Sequence, residues 1–126
     1  MILHNSFYRI SNNSSFENAE NLKNEATISF IRESEIFNAH FPTLPIVPGA
    51  CLVQISKECL EKKLQQNIQI LQFKNLKFLK TINPDEFPEI EIGFLYQKNE
   101  DNYSASVTFY KDKNLFCKLD YFFILQ

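Results

Sequence analysis

The feature that most restricts the fold is the segment HFPTLPIVPG at residues 40–49, which holds prolines at positions 42, 45 and 48. Each proline fixes its own φ angle and removes a backbone donor, so this segment is neither a regular strand nor the interior of a helix. The segment ends in Gly49, one of only two glycines in the chain. A stiff connection that begins with a histidine therefore separates two regular elements.

The pattern before this connection predicts a half-buried strand. From Glu25 onward, Ala26, Ile28 and Phe30 fall on one side of the chain, while Thr27 and Ser29 fall on the other. We expect this strand to continue through residues 31–37 toward the prolines. The polar stretch at residues 11–24 predicts a surface connection.

The pattern after Gly49 changes to a helical period. Apolar residues such as Leu52, Ile55 and Cys59 recur at intervals of three and four, and this spacing gives a helix a broad apolar face. Charged residues gather at the end, in KECLEKK. The sequence therefore predicts a helix from about Ala50 to Gln65 that begins buried and ends in solvent.

The remaining chain alternates between apolar and polar residues with short polar connections, which is typical of strands joined by hairpins. The predicted strands cover residues 68–80, 89–97, 103–110 and 115–125. A strand, a proline-rich loop, one buried helix and a four-strand meander together predict an α+β fold, in which an antiparallel sheet curls around the helix. We expect residues 1–126 to form one domain.

Composition excludes several classes of protein. The net charge of −2 argues against a nucleic-acid-binding protein, which would carry a basic excess on one face. No apolar run approaches the roughly 18 residues that a membrane-spanning helix needs. Cysteines 51, 59 and 117 form no CxxC pair. Reduced thiols, no metal site and a cytoplasmic location are therefore expected.

The segments HFPTLPIVPG, ACLVQ and LKFLKTINPDE resemble the 3-hydroxyacyl-[acyl carrier protein] dehydratase family over about residues 25–123. The resemblance implies a hot-dog fold, in which a sheet wraps one long central helix. It also implies conversion of 3-hydroxyacyl thioesters to trans-2-enoyl thioesters, in fatty-acid synthesis or in specialised polyketide or aryl-polyene-type lipid synthesis. The substrate would be carried on the phosphopantetheine arm of an acyl carrier protein, with no other cofactor.

The resemblance implies roles for residues around the proline segment. Dehydration requires a base near neutral pH, and His40 has a side chain whose ordinary pKa suits this task. Backbone amides at Gly49 and Ala50 would stabilise charge on the thioester oxygen, helped by the helix dipole. Phe41 and Pro48 would contact substrate. The alternative for His40 is a turn histidine that ends a strand without chemistry.

The chain departs from the family pattern on the helix. The family places an acidic residue five positions after the glycine, where it faces the histidine of the other subunit, but this chain has Gln54. Glutamine can hold a hydroxyl group by hydrogen bonds, yet it cannot deliver a proton. The alternative is a core glutamine bonded to backbone. Glu58, one turn further along, is a possible replacement acid, and the alternative for it is a solvated charge.

Three functions remain open at this point: an active dehydratase, a hot-dog acyl thioesterase, and a non-catalytic subunit that pairs with a complete dehydratase. We expect a homodimer or a heterodimer with another hot-dog subunit, possibly in a higher oligomer, with the sheets joined edge to edge. An acidic carrier protein needs a local basic patch. The first candidates are Lys74, Lys77 and Lys80, with Lys62 and Lys63 second, although a solvated strand face explains them equally well.

Overall fold

A computed structural model describes residues 1–11, 23–40 and 43–126, with the backbone alone at positions 23 and 40. The predicted surface connection at residues 11–24 lies largely outside the described residues. The regular elements, in chain order, are β1 (Tyr8–Ile10), β2 (Lys23–Phe30), α1 (Glu35–His40), α2 (Gly49–Leu64), β3 (Ile68–Phe78), β4 (Glu89–Lys98), β5 (Tyr103–Lys111) and β6 (Asn114–Leu125).

The six strands form one antiparallel sheet in the order β1-β2-β4-β5-β6-β3. The α+β prediction is confirmed, but the predicted meander of four consecutive strands is wrong. β4, β5 and β6 are joined by short turns, whereas β3 pairs with β6 at the far edge. Residues 79–88 connect β3 to β4 and contain Pro84 and Pro88, so this connection is too long and too stiff for a tight hairpin.

The core lies between α2 and the inner face of the sheet. Ser56 of α2 shares a hydrogen bond of 3.0 Å with the hydroxyl of Tyr121 on β6, and its Oγ also donates to the Val53 carbonyl. This pair satisfies two polar groups within an otherwise apolar layer. The buried apolar side chains of the layer include Leu52, Ile55, Cys59, Leu60, Ile28, Ile90, Ile92, Phe94, Val107, Phe109, Cys117, Leu119 and Phe123.

The predicted continuation of the first strand through residues 31–37 is wrong. β2 ends at Phe30, and the short helix α1 follows, with the Phe37 amide donating to the Ser34 carbonyl at 3.2 Å. Phe37 is fully buried and stacks on Phe7 at a centroid distance of 4.8 Å. Burial of this aromatic ring against the N-terminal segment favours a turn of helix over an extended chain.

No helix in the described residues is long and apolar enough to cross a membrane.

Candidate functional site

A pocket of about 560 Å³ lies where the proline segment enters α2. Its wall combines the loop before the helix, the first turns of the helix, and the chain leaving β3. The lining residues are Ile46, Val47, Pro48, Gly49, Leu52, Phe78, Leu79, Lys80, Thr81 and Ile82. Most of these side chains are aliphatic or aromatic, so the pocket suits an apolar chain with one polar end.

A backbone hydrogen bond joins the proline segment to the β3–β4 connection. The Val47 amide donates to the Ile82 carbonyl at 2.9 Å, and both side chains are buried. Pro45 is buried as well. These contacts hold the loop against the sheet and place Pro48 directly in front of the helix.

Helix α2 begins without a side-chain cap. Pro48 occupies the N-cap position in an extended conformation, and its carbonyl accepts hydrogen bonds from the amides of Cys51 and Leu52. The first amides of a helix have no partner within the helix itself, and the dipole makes this end favourable for negative charge. The pocket therefore abuts a helix end that suits the oxygen of a polarised carbonyl.

The predicted substrate-binding residues Pro48 and Gly49 both line this pocket. The α-carbon of Gly49 faces the ring of Phe78, because a Cβ at this position would lie 3.0 Å from Phe78 Cε1 and 3.1 Å from Phe78 Cζ. Separations this short force the neighbouring ring to move. The glycine therefore lets the start of α2 approach the end of β3, a role that sequence reasoning missed.

The structure describes three further predicted residues to different extents. His40 is the last residue of α1, and the structure gives its backbone alone. Phe41 lies outside the described residues. Ala50 is exposed in the first turn of α2, next to the pocket but not part of its lining. The roles assigned to these residues stay predictions.

The side chain of Gln54 is held away from the pocket. Its Nε2 donates to the Met1 carbonyl at 2.7 Å and to Glu58 Oε2 at 2.8 Å. Both protons of the amide are thereby used in contacts with the N-terminal segment and with the next turn of the helix. Among the described residues, the side chains that line the pocket include no carboxylate.

Glu58 is an acceptor for four donors rather than a solvated charge. Its two oxygens accept hydrogen bonds from the backbone amides of Leu3 and His4, each at 2.8 Å, and from the Tyr8 hydroxyl at 3.0 Å. The fourth donor is Gln54. This carboxylate fastens the N-terminal segment to α2. Sequence reasoning missed this role because the backbone donors lie more than fifty positions away in the chain.

The buried thiol nearest the pocket is not poised for nucleophilic chemistry. Burial raises the pKa of the Cys51 thiol, which therefore stays protonated at neutral pH. Burial likewise raises the pKa of Cys59, to about 12. No cluster of side chains suited to a metal ion occurs in the part of the chain that the structure describes.

The three lysines assigned to carrier contact occupy different surroundings, although all are exposed. Lys80 lines the pocket, and its Nζ donates to Asn114 Oδ1 at 2.6 Å. Lys77 lies directly opposite Lys118 on β6, and Lys74 lines a separate groove on the outer face of the sheet. Lys118 is a further basic residue that the sequence alone did not connect with β3, because the pairing of β3 with β6 is non-local.

Comparison with known structures identifies the fold. The chain superimposes on a dehydratase heterocomplex from Xenorhabdus doucetiae, ApeI:P, with a TM-score of 0.67 and 11% identity, covering 86% of this chain and 92% of that one. It also superimposes on an uncharacterized protein from Erwinia carotovora subsp. atroseptica with a TM-score of 0.56 and 15% identity, covering 84% and 86% of the two chains. The predicted hot-dog fold is thereby confirmed.

The search of curated protein sequences returned no match. The model of the ApeI-like family, described as ApeI dehydratase, matches residues 13–118. This match spans the proline segment, the central helix and the strands that form the pocket. The chain belongs to the ApeI-like dehydratase family.

Proposed function

We propose that this chain is a subunit of a dehydratase that removes water from 3-hydroxyacyl thioesters carried by an acyl carrier protein. The observation that supports this most directly is the apolar pocket at the uncapped start of α2. A thioester carbonyl at this helix end would gain stabilisation as negative charge develops on its oxygen. The acyl chain would lie against Leu52, Val47 and Ile82.

In the proposed reaction, the His40 imidazole removes a proton from the α-carbon of the thioester. The electron pair forms the new carbon–carbon double bond as the carbon–oxygen bond at the third carbon breaks. The oxygen leaves with a returned proton as water, and the product is a trans-2-enoyl thioester. His40 is the one residue of the proline segment whose ordinary pKa permits both proton transfers near neutral pH.

We propose further that the complete site includes another hot-dog subunit. Gln54 occupies the position at which related dehydratases are expected to carry an acid, and its amide is committed to Met1 and Glu58. A positioned general acid typically contributes about 10²–10⁴ to the rate. The partner subunit would supply this group, and the solved heterocomplex of ApeI:P from Xenorhabdus doucetiae is consistent with such an arrangement.

A second candidate is a subunit that binds substrate without catalysing the reaction. The observation in its favour is that no carboxylate is found among the described side chains of the pocket. The two candidates differ in their need for His40. An active subunit loses turnover when His40 is replaced, whereas a binding subunit keeps the activity of the assembled complex.

The test measures the release of water from a carrier-bound 3-hydroxyacyl thioester by mass spectrometry of the intact carrier. His40→Ala and Thr81→Trp, which fills the pocket from its exposed rim, should each lower turnover by about 100-fold or more. Glu100→Trp, in the exposed β4–β5 turn, is the matched control and should retain full turnover. Normal turnover of both variants would refute the proposed site.

A further inference from the structure

The ring of Phe78 lies against the start of α2, although half of the side chain is exposed. A Cβ atom at Gly49 would lie 3.0 Å from Phe78 Cε1 and 3.1 Å from Cζ, and both distances are shorter than an ordinary contact between carbon atoms. The Phe78 side chain is nevertheless 51% exposed, and it is part of the pocket lining. The ring therefore forms a wall at the rim of the pocket rather than part of the core.

Backbone hydrogen bonds hold both sides of this contact in place. Phe78 is the last residue of β3 and pairs with Cys117 of β6. The amides of the next two residues, Leu79 and Lys80, both donate to the Phe116 carbonyl, at 2.8 and 3.2 Å. On the other side, the loop before α2 is hydrogen-bonded to the β3–β4 connection. The backbone of Phe78 therefore has little freedom to move the ring away from the helix.

The ring stands beside the position proposed for the thioester. Within the described residues, the amides of Gly49 and Ala50 make no backbone hydrogen bond, so they are the donors for a thioester oxygen at this helix end. The α-carbon of the acyl group is one bond away from the carbonyl carbon. With the acyl chain in the pocket, the α-carbon lies between the first turn of α2 and the Phe78 ring.

The geometry at Gly49 shows how little room is left at this point. A Cβ atom at Gly49 is equivalent to a methyl group, and it would meet three carbons of the Phe78 ring at 3.0, 3.1 and 3.4 Å. A methyl group on the α-carbon of the substrate has the same size, so it would require the ring to move. An α-carbon that carries only hydrogen atoms needs no such space.

We infer that Phe78 determines substrate specificity: its ring admits 3-hydroxyacyl groups with an unsubstituted α-carbon and excludes those with a substituent there. This inference rests on the proposed function, which sets the orientation of the thioester. Phe78 acts by occupying space and takes no part in proton transfer. Selection of this kind works by a clash with the wrong substrate rather than by an added contact with the right one.

The test measures binding, so that its result does not depend on turnover. The probes are 3-hydroxybutyryl-pantetheine and its 2-methyl derivative, each with nitrogen in place of the thioester sulfur, and both epimers at the α-carbon are titrated by calorimetry. The wild type should bind the unbranched probe about 10–200-fold more tightly, the range typical of one carbon in a fitted pocket. Phe78→Ala should reduce this ratio by about tenfold or more.

Leu79→Ala is the matched control, because Leu79 lines the same pocket and is 54% exposed, whereas the atoms nearest to Gly49 all belong to Phe78. Its ratio should equal that of the wild type. If Phe78→Ala does not fold by circular dichroism, Phe78→Leu replaces it and should lower the ratio in the same direction.

Three results would overturn the inference: an unchanged ratio in a folded Phe78 variant, equal binding of both probes by the wild type, or no binding of either probe. The dehydratase proposal is judged separately, by turnover of the carrier-bound thioester. A protein that binds the unbranched probe selectively but releases no water would keep this inference and lose that proposal.

Discussion

At the scale of single residues, the pair formed by Gln54 and Glu58 decides what position 54 can do. The family pattern places an acidic residue at this position, so a glutamate at position 54 would match the family. The structure indicates a different result, because the amide of Gln54 donates to two acceptors, the Met1 carbonyl and Glu58. A carboxylate in its place faces a carbonyl and a second carboxylate.

We therefore expect Gln54→Glu to lower the free energy of unfolding by about 1–3 kcal/mol at pH 7. The neighbouring carboxylate raises the pKa of the new glutamate in the folded state. A raised pKa means that the folded state holds the proton more tightly, so the loss is full at neutral pH and disappears as pH falls below about 4. Urea unfolding at pH 7 and pH 4 measures this difference.

The exposed substitution Gln69→Glu is the control for the added charge and should change stability little at either pH. The exchange Gln54→Glu, Glu58→Gln restores one donor opposite one acceptor and should recover part of the loss. If Gln54→Glu and the wild type are equally stable at pH 7, the hydrogen bonds of the Gln54 amide do not stabilise the N-terminal segment.

The contact of Gly49 with Phe78 leads to a second prediction. Gly49→Ala places a methyl group against the Phe78 ring and should lower the free energy of unfolding by about 1 kcal/mol. In a Phe78→Ala background the same substitution should be neutral or stabilising by about 0.5 kcal/mol, because alanine favours helix more than glycine does. A double-mutant cycle from chemical unfolding measures the coupling. Additive effects would contradict the proposed contact.

At the scale of elements, Glu58 connects β1 and the residues before it to α2. Glu58→Ala leaves the amides of Leu3 and His4 without their acceptor. We expect these two amides to lose protection from hydrogen exchange, while amides in β4, β5 and β6 keep theirs. The overall loss should be about 1–3 kcal/mol.

Glu86→Ala, at an exposed position, is the control for this experiment and should leave the exchange pattern unchanged. If protection falls equally throughout the sheet, the N-terminal segment is part of the same cooperative unit as β4–β6. In that case Glu58 does not stabilise the N-terminal segment independently of the rest of the sheet.

Elements with local patterns could be predicted from the sequence, and elements defined by distant contacts could not. The bounds of α2 and of β4–β6 follow from apolar periodicity and short polar turns, and the structure agrees with them to within a residue or two. The position of β3 beside β6 could not be predicted, because it depends on pairing Ile68 with Leu125. The helix α1 was missed because its stability comes from burial of Phe37 against Phe7.

The same distinction applies to the candidate site. Two of the predicted substrate-binding residues, Pro48 and Gly49, line the pocket, and both belong to one contiguous segment of the chain. The packing of Phe78 against Gly49 depends on segments that only the fold brings together. The same holds for the hydrogen bonds that Glu58 accepts from the N-terminal segment. No periodicity or motif in the sequence reports such contacts.

At the scale of the whole molecule, the pocket lies where the end of β3 meets the start of α2. Lys80 lies at the pocket, two residues beyond the end of β3. We expect Lys80→Glu to raise the KM for a carrier-bound substrate by about tenfold, because it repels an acidic carrier. Turnover of a small thioester without the carrier should change little.

Lys98→Glu is the control, since Lys98 is exposed and is not part of the pocket lining. Steady-state kinetics with both kinds of substrate separate the two effects. Equal losses with the carrier-bound and the small substrate would place Lys80 in substrate binding rather than in carrier docking.

Burial of the three cysteines leads to a further prediction for the whole molecule. Cys51, Cys59 and Cys117 are free and buried, and burial raises the pKa of each thiol, to about 12 for Cys59 and Cys117. The folded protein should resist alkylation by iodoacetamide at pH 8, and the protein in denaturant should take up three groups. Mass spectrometry counts the adducts. Rapid labelling of the folded protein would contradict this packing.

The pairing of β3 with β6 also determines when the sheet can be completed during synthesis. β3 is made soon after the central helix, but its only strand partner in the described structure ends at Leu125. On the ribosome, residues 68–78 must therefore wait for almost fifty further residues before they join the sheet. A nascent chain that stops before β6 would leave the apolar side chains of β3 without the strand against which they pair. Formation of the sheet edge is thus coupled to synthesis of β6.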